Sequence, residues 1–353
     1  MKRLITKFFA AGMLISAATF MFTSCTKEGP QGPAGPAGKD GTNGQDANAT
    51  CRQCHNFSDT IVAKIFQYDA SKHASGSTTF ENRNTCAPCH TSQGFQEVVA
   101  TGADTTATAI NDPAPINCRT CHNIHATYTS ADWALKTTAP YNLRMDPTVT
   151  MDFTADGGSA NLCGRCHQPR KPSPWVTNPT GDDSLKITSS RWGPHHGPQS
   201  TVLGAVGAFA FGTPYTWGNV HKTQTACMMC HGANAVGNLT GGHTLWIGNE
   251  EEGDNLTGCN VTDCHGGSMT EAVMVAKQEE VLAKLTTLKD KLVAKNIINA
   301  TTGLVITGKH TQKQMAVVWN YNLIEADRSE GMHNFAYVND VLDKSIIAID
   351  ETK

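Results

Sequence analysis

The chain has 353 residues, with 28 Lys and Arg against 31 Asp and Glu for a formal charge of −3, and it carries 13 Cys and 14 His. That length allows one or two domains, and that charge excludes a nucleic-acid binder held by bulk basicity. Aromatic residues are only 7% of the chain while Gly numbers 32, so side chains alone supply little apolar surface and something else must fill the interior.

The first segment reads as an address. Lys2, Arg3 and Lys7 form a positive start, Phe8 to Phe22 is an apolar run, and Thr23-Ser24-Cys25 closes it. This is the plan of a secretory signal peptide over 1–24, and it is excluded from fold reasoning. No later apolar stretch is long enough to span a bilayer, so an integral membrane protein is not expected. Cys25 follows small Ser24 as in a bacterial lipobox, with Phe22 an unusual residue there, and it is the one Cys outside the pairs described below. A diacylated Cys25 would anchor the protein to a membrane without crossing it. The alternative is a plain signal peptide followed by a free Cys. Residues 29–46 carry Gly at 29, 32, 35, 38, 41 and 44, the Gly-X-Y pattern of collagen. Few triplets and few prolines favour an extended tether over 25–50, with trimerisation the alternative.

Twelve cysteines then fall in pairs, each closed by histidine. Five are short: Cys51 and Cys54 with His55, Cys86 and Cys89 with His90, Cys118 and Cys121 with His122, Cys163 and Cys166 with His167, and Cys227 and Cys230 with His231. The sixth, Cys259 and Cys264 with His265, has two additional residues between its cysteines. Disulfides need no adjacent His, and zinc ribbons leave it unexplained. Covalent c-type haem uses all three residues: two thiols add to the two vinyl groups of one porphyrin, and the next imidazole becomes the proximal iron ligand. Six haem c groups are therefore expected over 51–267, which also resolves the shortage of apolar side chains. The fold class follows as mainly α with extensive loops and little sheet, short helices being wrapped around stacked haems.

Eight histidines remain for the distal positions. His125 follows His122 by three residues, and on a helical turn both would project along one face, so His125 should reach the iron of a different haem. His73 lies between the first two motifs, His221 shortly before Cys227, His243 after Gly241-Gly242, and His333 at a helix start; each is a distal candidate. His195 and His196 are adjacent and point apart, so one of them binds iron, and His195 is preferred. His310 is expected to be a cap or surface residue. Met is the competing distal ligand, with Met145, Met151, Met228, Met229 and Met332 available, but the supply of His favours bis-His ligation at low potential.

No Cys follows 264, and 268–353 reads as a helical region packed on the haem domain and donating a distal His. Residues 270–295 place Val281, Leu282, Leu285, Leu288 and Leu292 on one stripe, with Glu279 and Glu280 set to pair with Lys284. A second helix is predicted over 311–327, with Met315, Val318, Trp319, Asn322 and Leu323 inward. A third is predicted over 334–346, with Phe335, Val338, Val341 and Leu342 inward. The heptads do not persist, so a coiled-coil dimer is not indicated.

The stretch RWGPHHGPQSTVLGAVGAFAFGTPYTWGNVH, followed by CMMCH, GGHT, the longer Cys-His motif and EGMHNFAYVNDVLDKSI, resembles exported bacterial multihaem cytochromes c. That group's relatives include extracellular respiratory cytochromes and, more distantly, pentahaem nitrite reductases. The resemblance covers roughly residues 51–350. It implies distal ligation by His195, His221, His243 and His333, and electron transfer in extracytoplasmic or extracellular respiration. Redox partner proteins and an outer-membrane or cell-surface lipoprotein, which could also face the periplasm, go with that reading. The nitrite reductases place Lys after the second Cys at the catalytic haem; no such motif occurs here, so nitrite reduction is not supported. Two alternatives stand beside an electron conduit: a multihaem reductase of a small nitrogen or sulfur oxyanion, which needs an open iron and nearby acids, and a subunit of a cytochrome filament, against which a lipid anchor argues.

Overall fold

The described motif cysteines sit on short helices and tight turns, and their spacing has a simple consequence. In a helical turn residues three apart share one face, so Cys-x-x-Cys brings both sulfurs to the same side. The computed structural model describes residues 51–52, 55, 59–76, 82–215, 220–235, 239–249 and 253–352. The leader, Cys25, the Gly-X-Y segment and Cys54 lie outside the described residues.

Helix α1 (Asp59–Asp69) follows the first motif. The second motif runs into α2 (Ala87–His90), with Pro88 in the first turn, where a missing N–H leaves no bond unmade. Helix α3 (Ser92–Thr101) is capped by Thr91, whose side chain accepts from the Gly94 amide at 3.0 Å, and it ends at left-handed Gly102. Helix α4 (Cys118–Cys121) carries the third motif and opens on a capping box between Asn117 and Thr120. A hairpin of β1 (Tyr141–Leu143) and β2 (Asp146–Met151) precedes α5 (Ser159–Gly164), which runs into the fourth motif. Strand β3 (Ser184–Ile187), α6 (Gln199–Leu203), α7 (Val220–Gln224) and α8 (Cys227–His231, the fifth motif) follow. A two-residue pair, β4 (Gly248–Asn249) and β5 (Gly253–Asp254), leads to the sixth motif.

The chain then turns to longer helices. Helix α9 (Glu271–Ala294) is capped by Thr270. Strand β6 (Gly308–Thr311) pairs antiparallel with β3, Leu185 opposite His310. Helix α10 (Gln312–Asp327) starts on a capping box of Thr311 and Gln314, and α11 (Phe335–Asp350) starts on Asn334. All three helices pack on one another.

On α9, Val281, Leu285, Leu288 and Leu292 are buried as the stripe predicts, but Leu282 is 41% exposed. It lies one residue, about 100°, beyond Val281, which carries it off the buried face. Lys284 does not pair with Glu279 or Glu280; it reaches across to Asp343 of α11 at 2.8 Å. Helix α10 is not amphipathic: Met315 to Tyr321 are buried without a break, and Asn322 is only half-buried. A second layer covers its other side. Trp319 Nε1 donates to the Gly207 carbonyl at 2.7 Å, and Asn320 exchanges two bonds with the backbone of Phe209, at 2.7 and 2.9 Å. Trp175 meets Trp319 edge-on at 4.8 Å. Residues 48–353 accordingly form one unit of contacts, and the 268–353 region is interleaved with the motif-bearing segments rather than standing apart.

Candidate haem-binding site

Each motif histidine faces one second imidazole, drawn from elsewhere in the chain. His55 lies with His125 at 6.2 Å between ring centres, His90 with His195 at 6.1 Å, and His122 with His243 at 6.3 Å. His167 lies with His73 at 6.1 Å, His231 with His333 at 6.3 Å, and His265 with His221 at 6.4 Å. Direct aromatic contacts span a wide range of centroid distances, about 4.5–7 Å, so one such pair would mean little. The adjacent His195 and His196 also lie 6.1 Å apart as chain neighbours, but six pairs within 0.3 Å of each other, each joining a motif histidine to a different histidine distant in the chain, call for a common cause. A metal–imidazole bond of about 2 Å puts the ring centre about 3.1 Å from the metal, so two imidazoles on opposite sides of one ion sit roughly 6.3 Å apart. The imidazole donor set therefore fits an iron between each pair. Among the described residues no three His, Cys, Asp or Glu side chains converge as a zinc site would need.

The cysteine and histidine of each motif are tied by the backbone. The histidine amide donates to the first cysteine's carbonyl at 2.8 Å in His55, 3.3 Å in His90, and 2.9 Å in His122 and His167. The longer sixth motif keeps this bond: the His265 amide donates to the Cys259 carbonyl at 3.2 Å, while the additional residues bulge out, closed by Cys264 to Val261 at 3.0 Å.

Four of the second imidazoles come from turns and loops, while His221 lies on α7 and His243 on a single 3-10 turn. His125 has a left-handed backbone, φ 65°, and His122 is extended, so the segment between them is not the helical turn expected from their spacing. The helix ends at Cys121 because His122 caps it, and the two rings diverge toward different partners. Tyr128, 59% exposed, stacks on His125 at 5.5 Å. His195 also has a left-handed backbone, φ 60°, and it, rather than His196, faces His90. His243 follows Gly241 and Gly242, both at positive φ. A Cβ on Gly242 would sit 2.3 Å from Oε1 of Gln67, the atom that accepts the His243 amide at 3.0 Å, which accounts for glycine there. His310 is neither cap nor surface: it is buried in β6, where pairing with β3 covers it, and its Nε2 donates to the Ile306 carbonyl at 2.6 Å. Met145 and Met151 belong to the apolar cluster.

The other ring nitrogen decides which one is free for a metal. Nδ1 of His122 donates to the Trp133 carbonyl at 2.6 Å, Nδ1 of His231 to the Leu245 carbonyl at 3.0 Å, and Nδ1 of His167 to Gln199 Oε1 at 3.0 Å. Nδ1 of His333 bonds Asp327 at 2.7 Å. Each bond leaves Nε2 as the nitrogen that could coordinate a metal, whereas His310 has already committed its Nε2. Burial pushes His73 down to about 4, helped by His167. Burial, then Arg170 and the neighbouring His90 and His196, pushes His195 down to about 4. The neutral imidazole so favoured is the form that binds metal. At His333 burial also opposes charge, but the Asp327 carboxylate outweighs it and raises the pKa.

Neighbouring motifs touch. His122 and His125 join the third motif to the first. Ser92, just after the second motif, bonds Thr120 at 2.9 Å and Asn117 at 3.1 Å at the third. Sγ of Cys89 approaches the Arg165 carbonyl at 3.9 Å and Sγ of Cys166 the Pro88 carbonyl at 3.8 Å, joining second to fourth. Helix α5 of the fourth motif packs on α8 of the fifth, and Gly258, beside Cys259, lies so close to α8 that a Cβ there would sit 3.0 Å from Cys230 Cα, joining fourth to fifth to sixth.

Asp327, Gln199 and Tyr128 have no place in the motif pattern, and the carbonyls of Trp133 and Leu245 belong to the backbone, so no sequence signal marks them. No helix among the described residues is long and apolar enough to cross a membrane.

No protein-family model and no curated protein sequence matches the chain. Among solved structures, the chain is similar to outer cell wall cytochrome OcwA, with a TM-score of 0.50 and 16% identity over 81% of this chain and 50% of that one. It also aligns with the undecaheme cytochrome from the S-layer of Carboxydothermus ferrireducens, with a TM-score of 0.46 and 17% identity over 87% of this chain and 46% of that one. The chain thus spans about half the length of either protein, and the likeness to the first shows a shared fold.

Proposed function

We propose that this chain is an exported electron-transfer protein carrying six c-type haems, each held by two thioethers and two imidazoles. The observation that carries the reading is the one-to-one pairing of six motif histidines with six others at a single spacing. Haem iron, when bound, supplies reversible one-electron exchange. The chain's own residues do the rest. The twelve motif cysteines fix position, with Cys54 assigned from its motif. His55, His90, His122, His167, His231 and His265 ligate on the proximal side. His73, His125, His195, His221, His243 and His333 fill the distal side, which favours conduction over a reductase needing an open iron. The contacts between motifs run first, third, second, fourth, fifth, sixth, so the chain lays out a path whose ends are the first and sixth motifs. Export, a lipid on Cys25 at the cell surface or outer membrane, and redox protein partners accord with the fold shared with an outer cell wall cytochrome.

The test is electron paramagnetic resonance of the oxidised, matured protein together with a pyridine haemochrome assay. Six haems per chain, all low-spin, are expected. A chain that matures without covalent haem overturns the reading, and a high-spin fraction that binds nitrite or hydroxylamine turns it toward the reductase.

A further inference from the structure

The six imidazole pairs are alike in spacing but not in what supports them. His122 and His231 lean on backbone carbonyls and His167 on an amide oxygen. His333 leans on a carboxylate. Asp327, the last residue of α10, is 1% exposed at its side chain and places Oδ1 2.7 Å from Nδ1 of His333. Its other oxygen accepts from the Ser329 hydroxyl, and Ser329 Oγ in turn accepts the His333 amide at 3.2 Å. The chain reverses through left-handed Arg328, Glu330 and Gly331 to bring His333 back beneath the helix end. At Gly331 a Cβ would lie 2.9 Å from Val281, so the reversal is held against α9.

We propose that Asp327 is a positioning and tuning residue: by accepting the Nδ1–H of His333 it makes this imidazole a stronger electron donor and sets the His231–His333 site as the lowest-potential position on the path. The inference rests on the bis-His reading above. A buried carboxylate on Nδ1 draws the proton toward itself and raises the electron density at Nε2. A more basic axial ligand and a nearby negative charge both stabilise the oxidised iron over the reduced one. Neutral carbonyl and amide acceptors do this less. The position matters because the fifth motif lies between the fourth and the sixth in the order of contacts. Gln199, which accepts from His167 of the fourth motif, donates to the Asp327 carbonyl at 3.2 Å, so the end of α10 supports ligands on two adjacent sites. A low-potential site there makes electron flow between the sixth motif and the rest depend on one carboxylate.

The experiment is a spectroelectrochemical titration of the full-length, haem-loaded protein, with haem count and electron paramagnetic resonance recorded alongside. Asp327→Asn keeps the volume and an acceptor oxygen but removes the charge. It is expected to move the lowest of the six potentials upward, to change the g-values of one low-spin signal, and to leave the other five in place. Ser329→Ala removes the competing donor and leaves the carboxylate to bond His333 alone, so the same potential is expected to move downward. Opposite signs from the two variants are something a merely structural role would not produce. Potentials unchanged in both, shifts of the same sign in both, or a shift spread over several sites would overturn the proposal. If Asp327→Asn fails to mature, the sign of the Ser329→Ala shift decides alone. A wild-type protein without six haems would sink the functional reading instead, and the haem count tells the two failures apart.

Discussion

Residues 51–135 and residues 271–350 reach order by different means. The continuous apolar cluster begins at Tyr141 and draws heavily on α9, α10 and α11. Before it, among the described residues, the buried apolar side chains are Ala87, Pro88, Phe95 and Val98, while Ile65, Phe66, Tyr128 and Trp133 are exposed. The later region is an ordinary helical pack: three capped helices close on Trp319, Tyr337, Leu288 and Leu292. The earlier region holds three Cys-His motifs on loops and short helices with little side-chain core of its own. In this chain a prosthetic group, on our reading, does for one region what leucine and tryptophan do for the other.

The largest effect should come from withholding haem. Protein made without the attachment machinery is expected to exchange its amides freely over 59–135 while α10 stays protected, as read by hydrogen–deuterium exchange. Equal protection in both regions would break the contrast. Next, Trp319→Ala should cost about 3–5 kcal/mol in urea unfolding of the haem-loaded protein, because it empties a fully buried site and leaves the Gly207 carbonyl without its donor. A cost below about 1 kcal/mol would mean that the later region also leans on haem for its core. The pairings sharpen the comparison locally. His125→Ala should convert one low-spin signal to high-spin, whereas His310→Ala, in the β3–β6 ladder, should leave every haem signal unchanged. A spectral change from His310→Ala would show the ligand assignment to be incomplete. Smallest is Lys284→Met, which breaks the half-exposed bridge to Asp343; thermal unfolding should register less than about 1 kcal/mol.

Several features were legible without coordinates. The apolar pattern marks α9, α10 and all but the last turn of α11, because periodicity is a local property of the chain. The faces of α10 were not legible, since a helix covered on every side has no polar stripe to read; what covers it comes from residues near 175 and 207–209. Nor was the partner of Lys284, for the same reason: Asp343 is local to it only once α9 and α11 are packed.

The same division holds at the site. Which residues are candidates to grip haem is written in the sequence, because a haem c motif draws two thiols and the following imidazole from one short turn, and their spacing is covalent geometry. Which histidine faces which was decided by tertiary structure alone. His55 and His125, or His231 and His333, are far apart along the chain and carry no mark of each other; only the turn after α10 returning toward α8, and the loop after α4 toward the first motif, bring their rings close. The carboxylate behind His333 belongs to that second kind, since a hydrogen bond depends on distance and direction, and neither exists until the chain has reversed at the end of α10.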